Sequence, residues 1–81
     1  MLKIYGTDLC PDCTACIAAF REAGIAYEYL KFETDLAHLR EFLQLRDKSP
    51  LVDEIRAAGG IGIPCILRED GSITLDWQAC L

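Results

Sequence analysis

Apolar and polar positions change their spacing several times along the chain, and each change marks an element. Leu2 to Tyr5 (LKIY) is a short β-compatible run closed by Gly6, which predicts an N-terminal strand. Good helix formers run from Pro11 to Ala23. Pro11 suits the first helical position, Cys10 falls at the N-cap and Gly24 supplies the stop. Ile25 to Phe32 (IAYEYLKF) alternates large β-formers with charged residues and predicts a second strand. Thr34 or Asp35 then caps a helix in which Leu36, Leu39 and Leu43 recur at the spacing of three and four that makes an apolar stripe, widened by Phe42.

Ser49 and Pro50 restart a short helix through about Ala58, with Leu51 and Ile55 on one face and Gly59 and Gly60 as its end. Pro64 to Glu69 (PCILRE) predicts a strand with proline at its first residue, Asp70-Gly71 a hairpin, and Ser72 to Leu75 (SITL) the partner strand. Asp76 is placed to cap one last turn containing Trp77. The order β-α-β-α-β-β, ending in a short or truncated C-terminal helix, is that of an α/β fold with a small mixed four-stranded sheet. A right-handed crossover would join the parallel pair, an antiparallel hairpin would follow, and helices would cover the sheet. The 81 residues make one domain, residues 1–81, because so short a chain cannot build two separate cores.

Composition narrows this picture. Hydrophobic residues make up 52% and charged residues 26%, which suits a packed domain and not a disordered one. The net charge is −5 and the 8 Lys and Arg are scattered, so no basic run is available to follow a phosphate backbone, and no nucleic-acid partner is expected. No apolar run approaches the roughly 20 residues that cross a bilayer, and no secretory signal pattern opens the chain. The expectation is a cytoplasmic protein without a membrane partner. The 5 cysteines are odd in number. In a reducing compartment their close spacing favours catalysis or metal binding over structural disulfides.

The chemistry concentrates in Cys10-Pro11-Asp12-Cys13, which follows the first strand and opens the first helix. The thiolate is the reactive form of cysteine, and the partial positive charge of a helix N-terminus favours it. Cys10 is thus placed as a nucleophile. Cys13 lies one turn further on the same face, positioned to resolve a mixed disulfide, and Pro11 stiffens the turn between them. Cys16 extends the spacing to C-x2-C-x2-C, so a second reading stays open. Cys10, Cys13 and Cys16, completed in space by Cys65, would make a thiolate set for zinc or an iron–sulfur cluster.

"CPDC" after "LKIY", with "GIP" at Gly62 to Pro64 and a "DG" hairpin following much later, resembles the glutaredoxins and, more broadly, the thioredoxin fold. The resemblance covers nearly the whole chain in element order. "REFLQLRD" and "GIGIPC" are similar to segments of short bacterial proteins labelled glutaredoxin-related. It implies a thioredoxin-like, glutaredoxin-type fold and a dithiol disulfide oxidoreductase, with a role in cell redox homeostasis and electron transfer. Cys10 would be the nucleophile and Cys13 the resolving thiol of a redox-active centre. It implies a cis Pro64 facing the cysteine pair and Ile63 as the residue that docks an extended substrate. Thr7 stands where glutaredoxins carry a lysine for a glutathione carboxylate, and Asp12 where they often carry an aromatic residue; both count as substrate-binding positions. The charges of Asp12 and Asp8 would repel an anionic tripeptide. No tightly bound cofactor is expected, with glutathione as a cosubstrate. The implied partners are a disulfide-containing protein or small thiol substrate, and a reductase or glutathione as electron donor.

The remaining chemically active residues read as structural. Cys16 and Cys80 fit small buried hydrophobes, and Cys65 a buried strand residue with a second possibility as a redox partner of Cys10. His38 falls on the polar side of its helix as a solvated side chain, and Trp77 at the edge of the core. Arg40, Arg46, Lys48 and Arg56 form a solvated basic face. "GGIGIP" enters a strand instead of opening a helix, which rules out a nucleotide fingerprint; Gly60 and Gly62 give the backbone room.

Overall fold

In the structure, a computed structural model describing residues 1–50, 53 and 60–81, the N-terminal run is paired on both sides. Strand β1 (Leu2–Gly6) lies parallel to β2 (Tyr27–Lys31), with Leu2 opposite Tyr27 and Gly6 opposite Lys31. On its other side it meets β3 (Cys65–Leu67) antiparallel, with Tyr5 opposite Cys65. Strand β4 (Ile73–Thr74) completes the sheet as the antiparallel partner of β3, in the order β2-β1-β3-β4. The result is a small mixed α/β domain, with a parallel pair and an antiparallel hairpin. Helices α1 (Pro11–Glu22) and α2 (Leu36–Lys48) and a 3-10 turn at Trp77–Cys80 flank the sheet.

Strand alternation sends neighbouring side chains to opposite faces, and two core clusters follow from it. Ile4 and Ile66 pack with Cys16, Ile17 and Phe20 of α1, and Trp77 and Cys80 close against them. Tyr5, Leu30 and Cys65 pack with Phe42 of α2, joined by Leu39 and Leu43. Phe20 and Phe42 are both fully buried. Truncating either ring to alanine costs about 3–5 kcal/mol, so each helix is anchored by one aromatic residue.

The ends of the elements differ in detail from the sequence pattern. Helix α1 stops at Glu22, because Gly24 turns left-handed (φ 72°) and the Ile25 and Gly24 amides return to the Phe20 and Arg21 carbonyls. These paired bonds consume Ile25, so β2 begins at Tyr27 and not at Ile25. Strand β3 is shorter than Pro64 to Glu69, because Arg68 is already in the turn, its amide bonded to the Ser72 carbonyl and its carbonyl to the Gly71 amide. Asp35 caps α2 by accepting from the Ala37 amide at 2.9 Å. Leu36, at the first helical position, falls outside the apolar stripe and is 71% exposed. Asp76 stands at the N-cap of the final turn but makes no side-chain cap bond. The helix expected over residues 51–58, with Leu51 and Ile55 on one face and Gly59 as its stop, lies outside the described residues but for Asp53, as does Arg56. No described helix is long and apolar enough to cross a membrane.

Candidate functional site

The site begins where β1 ends. The Cys10 amide donates to the Thr7 carbonyl at 3.1 Å, and the Leu9 amide donates to Thr7 Oγ1 at 3.2 Å, so Thr7 shapes the turn that delivers the chain to α1. Cys10 is the N-cap, in extended conformation, and its Sγ accepts the Cys13 amide at 3.4 Å. A capping serine or aspartate would accept from the same helix position. Pro11 and Asp12 follow in the first turn, both exposed.

Cys13 lies beneath Cys10, with no exposed surface, and its Sγ rests against the backbone of Gly6. Burial raises its thiol above the ordinary cysteine range, opposed by a backbone bond at Thr7 and reinforced by the neighbouring Cys10. The two thiols thus differ in access: Cys10 is half-buried at the surface and Cys13 is enclosed.

Cys10 opens into a cavity of about 580 Å³ lined by Thr7, Leu9, Cys10, Gly60, Ile61 and Ile63. Ile63 joins Pro64 through a cis peptide bond, Pro64 is buried directly before β3, and Gly62 takes φ 96° just before them. A left-handed φ of this kind favours glycine. A second cavity of about 580 Å³ lies between the end of α2 and the β3–β4 hairpin, lined by Leu45, Lys48, Ser49, Pro50, Gly71, Ser72 and Ile73. It holds no thiol, so the cavity at Cys10 is the candidate site.

The structure brings Thr7, Cys10 and Ile63 to one cavity, with Cys13 beneath Cys10. Pro11, Asp12 and Pro64 do not line that cavity. The proposed four-cysteine set does not assemble. Cys16 is buried on the α1 face of the sheet and Cys65 on the α2 face, so the sheet separates them. Among the described residues, no group of three His, Cys, Asp or Glu side chains is placed to hold a metal ion. Cys65 packs with Tyr5, Leu30 and Phe42 and not with Cys16, and burial pushes the Cys65 and Cys16 thiols up to about 11.

Other side chains differ from their sequence-based reading. His38 is half-buried and its Nδ1 meets the Lys31 carbonyl at 2.9 Å, tying α2 to the end of β2. Arg46 is not part of a solvated face: its guanidinium lies 5.8 Å from the Phe42 ring centre and donates to the Ile61 carbonyl at 3.2 Å. Asp8 accepts from Lys31 Nζ at 3.0 Å and from the Tyr29 hydroxyl at 3.1 Å. The Lys31 bond foremost, then the Tyr29 bond, holds its carboxyl below the usual range. Sequence reasoning missed Lys31, Tyr29, Leu9 and Ile61. The one available signal was Leu9, an aliphatic residue in a turn beside the first cysteine.

Neither family models nor solved structures gave a match to this chain. A Haemophilus influenzae protein, described as an uncharacterized protein, is 33% identical over 73 residues, which span 90% of this chain and 85% of that relative.

Proposed function

The chain belongs to the same family as the Haemophilus influenzae protein, and we propose that it is a thiol–disulfide oxidoreductase of glutaredoxin type on a thioredoxin-like fold. The observation that carries this reading is the pairing of a reachable Cys10 sulfur at the N-cap of α1 with an enclosed Cys13 one turn below. The sheet order, with a parallel βαβ unit followed by an antiparallel hairpin and a cis Pro64 before β3, is compatible with that fold.

The reaction is a two-electron exchange. The Cys10 thiolate attacks one sulfur of a substrate disulfide, a Cys10–substrate bond forms, and the other substrate sulfur leaves as a thiolate. Cys13 then loses its proton to solvent or to that departing thiolate and attacks Cys10 Sγ. The Cys10–Cys13 disulfide forms as the second substrate thiol departs. The substrate disulfide is reduced and the Cys10–Cys13 dithiol is oxidised; a thiol donor, glutathione or a reductase, restores the pair. The Cys13 amide faces the Cys10 sulfur, which carries the charge when Cys10 is the attacking thiolate, and hydrogen bonds to a charged acceptor are stronger than neutral ones.

The direct test equilibrates the protein across thiol redox buffers, traps free thiols, and identifies the paired cysteines by mass spectrometry. A reversible Cys10–Cys13 disulfide, with disulfide reduction abolished by Cys10→Ser, supports the reading. Full reductase activity in Cys10→Ser would sink it.

A further inference from the structure

Among the described residues, the large apolar side chains left most exposed are Met1, Leu9, Leu36, Ile61 and Leu81, and two of them, Leu9 (89%) and Ile61 (60%), line the cavity at Cys10. They come from separate parts of the chain, the β1–α1 turn and the segment before β3.

Folding does not account for Leu9. An apolar residue just before an N-cap commonly packs against the fourth helical position. In α1 that position is Thr14, which is exposed and whose hydroxyl bonds to the Pro11 carbonyl at 2.9 Å. Leu9 therefore makes no such staple and stands free beside the candidate nucleophile. The Ile61 backbone is fixed by Arg46, while its side chain stays outside both core clusters.

Charge decides what these side chains fit. None of the described residues lining the cavity is ionisable except Cys10. The acids Asp8 and Asp12 flank Cys10 in sequence, and the nearby cation Lys31 is engaged by Asp8. An anionic small thiol such as glutathione, whose disulfide carries four carboxylates, meets aliphatic surface and no free cation among the described lining residues. The volume, about 580 Å³, lies within the usual span of binding pockets, roughly 300–1,000 Å³. That is room for several side chains, more than a small dialkyl disulfide fills.

We propose that the substrate is a polypeptide disulfide whose cysteine is flanked by an aliphatic residue and free of adjacent acids, with Leu9 and Ile61 as the residues that select it. This rests on the dithiol reading above. Electrons follow the same path: the peptide disulfide gains two and becomes two thiols, and Cys10 and Cys13 lose two and become a disulfide.

The test mixes fully reduced protein with one disulfide at a time and follows thiol release in a single turnover. The substrates are a leucine-flanked cysteinyl peptide disulfide, its glutamate-flanked counterpart, glutathione disulfide, dipropyl disulfide and bis(hydroxyethyl) disulfide. The leucine-flanked peptide is expected to react roughly tenfold faster or more than each of the other four. Leu9→Ser and Ile61→Ser are expected to erase that preference by slowing the leucine-flanked peptide, with circular dichroism melts confirming that both variants fold. Equal rates for the two peptides, or an unchanged preference in both variants, overturn the assignment of Leu9 and Ile61. Dipropyl disulfide reacting as fast as the leucine-flanked peptide overturns the polypeptide. No reduction of any disulfide, bis(hydroxyethyl) disulfide included, removes the dithiol reading itself, a separate result from a lost preference among substrates that do react.

Discussion

A β-carbon placed on Gly6 would stand 2.6 Å from the Sγ of Cys13, closer than real side-chain contacts come. The last residue of β1 is glycine because the enclosed thiol occupies the space that a side chain would need. Gly6→Ala should lower unfolding free energy by about 1–3 kcal/mol, the usual cost of overpacking. Adding Cys13→Ala should recover much of that loss, and urea denaturation of the two single variants and the double variant would measure the coupling. Additive losses would show that Gly6 is not making room for Cys13.

Buried thiols set an alkaline limit to stability. Cys16 and Cys65 are held up to about 11 by burial, whereas an unfolded cysteine ionises near about 8.5. Their contribution is whole below the unfolded value. Between the two values the unfolded chain has released a proton that the folded chain retains, so stability falls as pH rises. Each thiol should contribute a slope of about 1.4 kcal/mol per pH unit in that window. Urea midpoints between pH 7 and 10.5 should drop, and Cys65→Ala, although less stable at pH 7, should show a shallower fall. An unchanged slope in that variant would count against burial as the cause.

His38 joins α2 to the end of β2 through the Lys31 carbonyl. His38→Ala should cost about 0.5–1.5 kcal/mol, the net worth of one such hydrogen bond, and leave the thiol chemistry of Cys10 intact. Chemical denaturation together with the rate of Cys10 alkylation would separate the two effects.

Lys31 and Tyr29 keep the Asp8 carboxyl below its usual range. For a depressed carboxylate the stabilising effect exists above the unfolded pKa, about 3.9, and is lost as pH falls through the lower folded value. Lys31→Met should move the Asp8 titration back upward, read by carboxyl-carbon NMR. Since Asp8 is exposed, stability at neutral pH should hardly change. The same substitution removes the cation that offsets the Asp8 charge and leaves only the Tyr29 bond, so reaction with anionic disulfides should slow further.

The access difference between the two thiols gives a labelling order. Brief iodoacetamide treatment of the native protein should modify Cys10 well before Cys13, Cys16 and Cys65, which have no exposed surface. Peptide mapping by mass spectrometry checks this, and early labelling of Cys13 would contradict its enclosure beneath Cys10.

How much of this was legible beforehand depends on the range of each interaction. The strand LKIY, the helix opening at Pro11 behind a Cys10 cap, and the hairpin after β3 are local matters of propensity, capping and turn chemistry, and all are present in the structure. Leu36 was misplaced because spacing defines a stripe without saying where along a helix the sheet beneath it begins. His38 and Arg46 were misread because their partners, the Lys31 carbonyl, the Phe42 ring and the Ile61 carbonyl, depend on how α2 settles against the sheet and the β3 approach.

Sequence by itself determined the element order, the α/β class and the placement of Cys10 and Cys13 one turn apart at a helix start, since these depend on neighbours within a few residues. Tertiary structure decided which cysteines share a site. Only sheet pairing puts Ile4 and Ile66 on one face and Tyr5 and Cys65 on the other, and so parts Cys16 from Cys65. Only the return of the chain before β3 brings Ile61 and Ile63 to Cys10. Such contacts join residues tens of positions apart, and no local pattern encodes the distance between them.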